Sequence, residues 1–440
     1  MDSLTIGYLS LPVLLALIFM RMPIGLAMLV VGLGGTMVVT GGPNVVLAKL
    51  KNETYSTFSS YSLSIVPLFL LMGQFATLGG MSTALFRAAE TWLGHRRGGV
   101  AMASVGACAG FGAICGSSLA TAATMGQVAL PQLKKHGYPG GLATATLAAG
   151  GTLGILIPPS VVLVIYAIIT EQNIAKLFVA AAVPGLLAVI GYMFTIAIMM
   201  RFSPSSAQLR QRIPYRERLK ALAEIWRVLL IFALVIGGIY LGWFTPTEAA
   251  AVGAAGTCII AWFAGGLSRT TFTDAILSTA STTAMIFFII LGAAFFNSFL
   301  ALTRVPQELS STILELGFSP LTILIVILCL YLIFGCFMDS LSMILLTVPI
   351  FFPIISMLDF GLTPEETAIW FGILVLIVVE VGLITPPVGM NLFVINAMDP
   401  ATRMLDTYRA VLPFIASDIL RTCLLVAFPG ITLFLMRWLY

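Results

Sequence analysis

The chain has 440 residues, of which 59% are hydrophobic and only 9% are charged, and its mean hydropathy is +1.06. Soluble domains carry roughly 25% charged residues, so this composition excludes a soluble protein and indicates one that crosses a membrane several times. The net charge of +4 is small and spread over the loops, which gives no support for a nucleic-acid partner. Both histidines, His95 and His136, lie in hydrophilic flanks, so we expect no histidine-based metal or active site inside the membrane.

The apolar segments predict ten membrane spans and two longer stretches. In chain order the spans are 4–20, 22–41, 61–80, 142–170, 176–200, 228–243, 248–267, 281–303, 367–397 and 411–437. The stretches 99–133 and 319–357 are too long for one span, and small polar residues interrupt each in its middle. We interpret each as a re-entrant helical hairpin, because non-helical backbone at that depth is tolerated only inside protein or beside an aqueous cavity.

Segments of mixed polarity join these spans. Residues 81–97 and 269–280 precede a hairpin or a span at places that we take as equivalent in the two halves. Both predict helices that lie in the interface plane, with an ordinary polar loop as the alternative. The basic loop 201–227 predicts a link between the halves along the cytoplasmic surface.

The charges that flank the two hairpins predict opposite orientations. The first hairpin is bracketed by basic residues, namely Arg87, Arg96, Arg97, Lys134 and Lys135. The second is bracketed mainly by acidic residues, namely Glu308, Glu315, Asp359, Glu365 and Glu366. Under the positive-inside rule the first hairpin opens to the cytoplasm, and the scarcity of basic residues fits an outside location for the second. Five predicted spans, an odd number, separate the hairpins, which independently places them on opposite faces.

Two parts of the chain repeat one motif at matching spacing. The first copy contains Gly116-Ser117-Ser118, Pro131 and Gly154 to Pro159, and the second contains Met338-Asp339-Ser340, Pro353 and Gly382 to Pro387. The serine and the following proline are thirteen positions apart in both copies, and the glycine and the first proline of the pair are four apart. Paired hydrophobic segments that are broken by Gly and Pro, in halves of opposite orientation, indicate an inverted repeat around a transporter binding site.

The predicted fold class is therefore an all-α polytopic membrane protein with an inverted repeat, two re-entrant helical hairpins and two discontinuous helices. We divide it into a first half, residues 1–215, and a second half, residues 216–440. The first half holds hairpin 99–133 and broken helix 142–170, and the second holds hairpin 319–357 and broken helix 367–397. One membrane unit is favoured over two separable domains.

The broken segments carry residue types that suit a hard cation and an anion. A helix that breaks in mid-membrane leaves N–H groups at one half-helix start, which attract anions, and C=O groups at the other half's end, which attract cations. Na⁺ favours oxygen ligands, by analogy with other hard cations. The polar side chains near the breaks are Ser117, Ser118, Thr121, Ser160, Asp339, Ser340, Ser342, Thr385 and Asn391. Interhelical packing is the structural alternative for any single Ser or Thr.

Two acids are predicted to lie deepest in the membrane, where acids are costly and usually functional. Asp339, at the tip of the second hairpin, is predicted to contribute to a Na⁺ site or to its electrostatic support. Glu380 lies two residues before Gly382, and its position fits a site residue and a helix anchor equally well.

Nearly the whole chain resembles the large membrane subunit, DctM-type, of the tripartite ATP-independent periplasmic (TRAP) transporters. The most specific stretches are 110–133, 148–167, 334–355 and 379–396. The resemblance implies a multi-pass protein of a bacterial inner membrane with an elevator-type ion-transporter fold. In that fold, a transport domain formed by the hairpins and broken helices slides against a scaffold formed by the remainder.

The resemblance also implies function and partners. It implies Na⁺-coupled uptake of an organic acid that a periplasmic binding protein, DctP-type, delivers. It further implies a small membrane subunit, DctQ-type, which we expect to be a separate polypeptide. The sequence holds no GxxxxGK[ST] motif for ATP, which agrees with coupling to an ion gradient.

The family's site residues carry over onto the repeated motif. The resemblance places one Na⁺ site at Ser117 and Ser118 with the break that contains Gly154 and Pro158. It places a second site at the following residues: Asp339, Ser340, Gly382, Thr385 and Pro386. The substrate carboxylate is expected between the hairpin tips, with the half-helix N–H groups and the side chains of Ser118, Thr121, Ser340 and Asn391. No deep arginine lies in these motifs, so coupled Na⁺ is expected to supply most of the positive charge.

Three other functions are weighed against this one. A stand-alone Na⁺/dicarboxylate or citrate symporter of similar architecture would need no binding protein. An intramembrane protease or other enzyme is disfavoured, because Ser117 and Ser118 lack an intramembrane His or Lys base and Asp339 lacks an obvious second aspartate. A channel would not need two inverted broken-helix sites. The sequence does not identify the organic acid.

Overall fold

The computed structural model describes residues 2–202, 212–315 and 317–440, and all regular structure within these ranges is helical. In the first half the helices are α1 (Ser3–Phe19), α2 (Ile24–Thr40), α3 (Asn44–Phe58), a 3₁₀ turn (Tyr61–Ser64), α4 (Ile65–Leu78), α5 (Met81–Leu93), α6 (Gly99–Cys115), α7 (Ser118–Lys135), α8 (Gly140–Leu156), α9 (Val161–Ile169) and α10 (Ile174–Phe202). In the second half they are α11 (Tyr215–Glu224), α12 (Trp226–Phe232), a π-helical turn (Ala233–Gly237), α13 (Gly238–Tyr240), α14 (Pro246–Phe263), α15 (Arg269–Thr303), α16 (Val305–Glu315), α17 (Pro320–Gly335), α18 (Ser340–Ser356), α19 (Pro364–Ile384), α20 (Met390–Ala397), α21 (Met404–Ala427) and α22 (Pro429–Leu439).

The helices confirm a multi-pass membrane protein. Within the three described ranges, five helices are long and apolar enough to cross a membrane: Tyr61–Leu78, Ile174–Phe202, Arg269–Thr303, Pro364–Ile384 and Met404–Ala427. Two bent helix pairs, α8 with α9 and α11 with α12–α13, raise that number to seven if each pair counts as one span. Further apolar helices of 10–17 residues include α1, α2 and three of the four hairpin arms.

Both predicted hairpins and both discontinuous helices are present. Helices α6 and α7 form the first hairpin, and both pack against α8; α17 and α18 form the second, and both pack against α19. The broken helices are α8–α9, bent by 44°, and α19–α20, separated by residues 385–389. The inverted-repeat fold class is therefore confirmed.

The structure corrects the prediction for residues 269–303. They form one 35-residue helix, α15, and not an interfacial segment 269–280 followed by a span 281–303. A capping box at Ser268 starts the helix, and the sequence from 269 to 291 contains neither Gly nor Pro to interrupt it. The counterpart of α5, the helix that directly precedes the first hairpin, is α16, which directly precedes the second.

Two further differences have local causes. The predicted span 411–437 is divided into α21 and α22 at Phe428, because Pro429 lacks the N–H that would continue α21. Residues 44–58, left without an element in the sequence prediction, form α3. Part of the basic loop 201–227 lies outside the described residues. The rest includes α11, which packs against α5, and the carbonyl of Arg218 on α11 accepts a hydrogen bond from Trp92 Nε1 at 3.2 Å. The division of the chain at 215/216 stays a prediction.

The broken helices occupy the centre of the molecule. Almost every residue of α8 and all of Thr367–Ile384 are buried, although these segments are strongly apolar and would otherwise suit a lipid-facing position. Helix α8 contacts α19, α20 and α21, and the hydroxyl of Tyr166 on α9 donates to the carbonyl of Ala368 on α19 at 2.6 Å. The two halves therefore meet where their helices break.

Candidate functional site

The tip of the first hairpin is built by a glycine and a helix cap. Helix α6 ends at Cys115, and Gly116 follows with φ of +64°, a left-handed conformation that glycine adopts at low cost. Ser117 is extended, and its hydroxyl accepts a hydrogen bond from the Ala120 N–H at 3.4 Å, which caps α7. Ser118 is the first residue of α7 and is buried.

The tip of the second hairpin uses an acid for the same task. Asp339 is half-buried and extended, and its carboxylate accepts a hydrogen bond from the Ser342 N–H at 3.1 Å at the start of α18. Ser340 is the first residue of α18 and is buried, as Ser118 is in α7. Asp339 thus places a carboxylate at a helix N-terminus, where negative charge is stabilised.

Each hairpin approaches its broken helix through a pair of glycines. A Cβ atom built on Gly112 of α6 would lie 2.6 Å from the Cα of Gly154 on α8, and one built on Gly382 of α19 would lie 2.6 Å from the Cα of Gly335 on α17. A Cβ on Gly154 would also lie 2.4 Å from Thr121 Oγ1. The repeated glycines of the motif therefore allow backbone to touch backbone beside both tips.

The breaks in the helices lie against the tips. Helix α8 ends at Leu156, Pro158 is buried, and the Ser160 hydroxyl caps α9 by accepting from the Leu163 N–H at 3.3 Å. In the second half the Thr385 hydroxyl donates to the Val381 carbonyl at 2.6 Å. Pro386 is half-buried, and the Gly389 N–H donates to the carbonyl of Cys336 at 3.3 Å, which joins the break to the second tip. The Pro158–Pro159 and Pro386–Pro387 peptide bonds are both cis.

The two tips converge on one carboxylate, that of Glu380. Its Oε1 atom accepts hydrogen bonds from Ser340 Oγ at 2.7 Å and from Ser118 Oγ at 3.4 Å. Glu380 is only 2% exposed. Its other oxygen, Oε2, is buried and makes no hydrogen bond to any described residue. The structure therefore brings Ser118 and Ser340 together, and it does so through a residue whose role the sequence left open.

The other two residues predicted to bind substrate are buried close to the first broken helix. Thr121 Oγ1 faces Gly154, and Asn391 on α20 donates through Nδ2 to the Ala148 carbonyl at 3.3 Å. Thr121 Oγ1 and Asn391 Oδ1 are buried oxygens with no hydrogen-bond partner in the described part of the chain. Unpartnered oxygens of this kind are suited to a cation or a donor group that arrives from outside.

A second buried polar network joins α8 to α10 and α21. The hydroxyl of Tyr192 on α10 donates to Asp418 Oδ2 at 2.7 Å and lies 3.0 Å from the hydroxyl of Thr152 on α8. Arg421 Nη2 is 2.9 Å from Asp418 Oδ1, and both side chains are almost fully buried. Thr152 precedes Gly154 by two residues, as Glu380 precedes Gly382. This matching position in the two repeats is the sequence feature that could have identified both residues as part of a buried polar network.

Within the described ranges no three His, Cys, Asp or Glu side chains are grouped so that they could hold a metal ion together. Hydroxyl, amide and backbone oxygens therefore dominate the candidate site, with Asp339 and Glu380 as its acids. This donor set suits a hard monovalent cation better than a transition metal, which prefers His and Cys.

Comparison with known proteins places this geometry in a family. The model of the family described as "Tripartite ATP-independent periplasmic transporter, DctM component" matches residues 11–431. The chain is 38% identical to the C4-dicarboxylate TRAP transporter large permease protein DctM of Pseudomonas aeruginosa, over 93% of this chain and 94% of that protein. It is 31% identical to the sialic acid TRAP transporter large permease protein SiaM of Vibrio cholerae, over 96% of each chain. The fold is shared with the YdaH transporter of Alcanivorax borkumensis, at 15% identity and a TM-score of 0.62, over 87% of this chain and 89% of that one.

Proposed function

This chain belongs to the DctM component of the tripartite ATP-independent periplasmic transporters, and we propose that it imports an organic acid by coupling to Na⁺. The chain is a large permease subunit, and its relatives are transporter subunits, not enzymes. Relatives carry names that refer to C4-dicarboxylates, sialic acid, and ectoine with 5-hydroxyectoine. We propose an organic acid as the substrate class, because C4-dicarboxylates, sialic acid and the ectoines all carry a carboxylate group.

The convergence of both hairpin tips on Glu380 is the observation that carries the proposal. It brings hydroxyl oxygens from two halves of the chain to one buried carboxylate, beside two breaks that supply backbone carbonyls. We assign one Na⁺ site to Ser117 and Ser118 with the break at Gly154 and Pro158. We assign the other to the following residues: Asp339, Ser340, Gly382, Thr385 and Pro386. A bound Na⁺ would supply positive charge next to the position of an anionic substrate.

The substrate carboxylate is proposed to lie between the tips. The N-termini of α7 and α18 start at Ser118 and Ser340, so their amide dipoles favour negative charge there. Thr121 and Asn391 are buried nearby on α7 and α20 and can offer polar contacts. The side chains of Ser117 and Asp339 each accept a hydrogen bond from one N–H group in the first turn of the helix that they cap. The remaining first-turn N–H groups would therefore bind the substrate.

Alternating access is proposed to follow an elevator motion, in which the hairpins and broken helices move as one transport domain against the remaining helices. Hydrogen bonds across the halves support a rigid transport domain. Lys134 on α7 donates to Asp399 after α20 at 2.5 Å, and Tyr166 on α9 donates to Ala368 on α19 at 2.6 Å. Outside this group α2 packs along α15 and α4 packs along α14, which would form the core of the scaffold.

The partners and the location follow from the family. We propose that the chain lies in a bacterial inner membrane with a small DctQ-type membrane subunit and receives its substrate from a periplasmic DctP-type binding protein. One relative, the isethionate TRAP transporter permease protein DctMQ of Oleidesulfovibrio alaskensis, matches this chain over 66% of its own length. The remaining third of that protein is long enough to contain a second subunit in the same polypeptide.

Uptake into proteoliposomes that contain this chain and its small subunit tests the proposal. A panel of labelled organic acids is supplied with an inward gradient of Na⁺ or of K⁺, each with and without the binding protein. Uptake that needs both Na⁺ and the binding protein is the expected result. Uptake that needs Na⁺ alone would favour a stand-alone symporter, and uptake indifferent to Na⁺ would refute the coupling.

A further inference from the structure

Glu380 is a buried acid that is hydrogen-bonded through only one of its two oxygens. It lies on α19, inside a segment that is buried without interruption from Thr367 to Ile384. One oxygen receives both tip hydroxyls, at 2.7 Å from Ser340 and 3.4 Å from Ser118. The second oxygen is buried and has no partner among the described residues. An isolated ionised carboxylate is expensive to bury, and two neutral hydroxyls compensate it only in part.

No basic side chain in the described part of the chain hydrogen-bonds to Glu380. The buried guanidinium of Arg421 lies 2.9 Å from Asp418 and so serves another acid. The site therefore holds a carboxylate oxygen without a partner, two hydroxyls fixed beside it, and two helix breaks with carbonyls. Hard cations prefer an oxygen cage of this kind.

We propose that Glu380 is the shared counter-charge of the cations that bind at the two hairpin tips, and that it makes their binding interdependent. This inference rests on the proposed Na⁺ coupling and adds to it the residue that links the two sites. The carboxylate touches the first residue of the second arm in each hairpin, Ser118 and Ser340. A cation at one tip changes the field and the hydrogen bonding of the carboxylate that the other tip also uses.

Interdependence has a measurable signature. Binding of the first cation positions Glu380 and its serine partners, so the second cation binds to a site that is already ordered. The thermal stability of the wild-type chain is therefore expected to rise more steeply with Na⁺ concentration than it would with two independent sites. Glu380→Gln keeps an oxygen that accepts from Ser340 but removes the charge, whereas Glu380→Asp keeps the charge on a shorter side chain.

The test is thermal unfolding of the purified full chain in detergent while Na⁺ replaces K⁺ at constant ionic strength. In K⁺ alone, Glu380→Gln is expected to be at least as stable as the wild type, because the neutral amide is easier to bury than an unpaired charge. In Na⁺ the wild type is expected to gain stability, with a Hill coefficient above one. Glu380→Gln is expected to need at least a tenfold higher Na⁺ concentration for half of the stability gain, with a Hill coefficient near one. Glu380→Asp is expected to respond to Na⁺ much more like the wild type.

Glu308→Gln is the matched control, because Glu308 is an exposed acid on α16, and its Na⁺ response is expected to match that of the wild type. A Glu380→Gln chain that responds to Na⁺ at the wild-type concentration and steepness would overturn the inference and leave Na⁺ coupling intact. A Glu380→Gln chain that unfolds in K⁺ would also overturn it, since the carboxylate would then be satisfied by the protein itself. A wild-type chain that Na⁺ does not stabilise would refute the proposed Na⁺ coupling together with this inference.

Discussion

Replacing Gly382 by alanine directs a methyl group at the backbone of the second hairpin. The new Cβ would lie 2.6 Å from the Cα of Gly335, whereas ordinary contacts begin at 3.4 Å, so the hairpin arm must retreat by about 0.8 Å. The obstructing atoms are backbone, so no flexible side chain can turn away. Overpacking of this kind costs about 1–3 kcal/mol. The displaced arm ends at the tip that carries Ser340, whose hydroxyl lies 2.7 Å from Glu380.

If this cost falls on the arrangement of the tip that binds Na⁺ and substrate, we expect Gly382→Ala to lower the initial rate of Na⁺-driven uptake by about fivefold or more, since each 1.4 kcal/mol is a factor of ten. The assay is uptake of labelled substrate into proteoliposomes, together with thermal unfolding of the same preparation. Gly34→Ala is the control, because Gly34 is an exposed residue of α2 with no atom within 4 Å of its added Cβ. Alanine favours the helix by up to about 1 kcal/mol there, so stability should hold or rise. Equal rates and stabilities for the two variants would show that the glycine contact does not position the hairpin.

Two further predictions concern ion pairs, one within α21 and one between α7 and the segment that follows α20. Arg421→Met leaves Asp418 as an uncompensated buried charge and should cost about 3–5 kcal/mol in denaturant unfolding, whereas the double variant with Asp418→Asn should recover part of that loss. Burial of Asp399 opposes its ionisation, but hydrogen bonds from Lys134 and Thr402 outweigh burial and hold the pKa of this carboxyl below its usual value. The ionised carboxylate thus stabilises the fold fully above about pH 5, and this stabilisation is lost as the pH falls through the lowered pKa. Asp399→Asn should therefore lower the melting temperature at pH 7 and make the melting temperature fall less steeply in acid. Parallel curves of melting temperature against pH for the two chains would contradict this.

The elements that the sequence predicts best are those marked by unusual residues. Gly116 in a left-handed conformation, the caps Ser117 and Asp339, and the prolines after Gly154 and Gly382 each impose a local break, so spacing alone located both hairpins and both broken helices. At 269–280 no such residue stands, and the predicted boundary was wrong. Polar composition suggested a separate segment at 269–280, but nothing there interrupts the helix, and α15 continues for 35 residues.

The role of Glu380 could not be read from the sequence for a different reason. Its two partners lie 40 and 262 positions away along the chain, and only the packing of both hairpins on the central helices brings them to one oxygen. The repeated motif identifies the residue types at each tip, and their roles in binding stay predictions. It contains no information on which of the two acids, Asp339 or Glu380, would face both tips.

The inverted repeat is symmetric in backbone and asymmetric in charge. Thr152 and Glu380 occupy matching places, two residues before the glycines that touch the hairpins, yet Thr152 is directed to Tyr192 on α10 while Glu380 receives both tips. One half of the molecule therefore supplies the buried acid that both halves use. The contact is shorter to Ser340, at 2.7 Å, than to Ser118, at 3.4 Å, so the carboxylate is bound more firmly to its own half. The two proposed cation sites are thus chemically unequal, because the second has Asp339 and the nearer contact to Glu380, whereas the first depends on an acid from the other repeat.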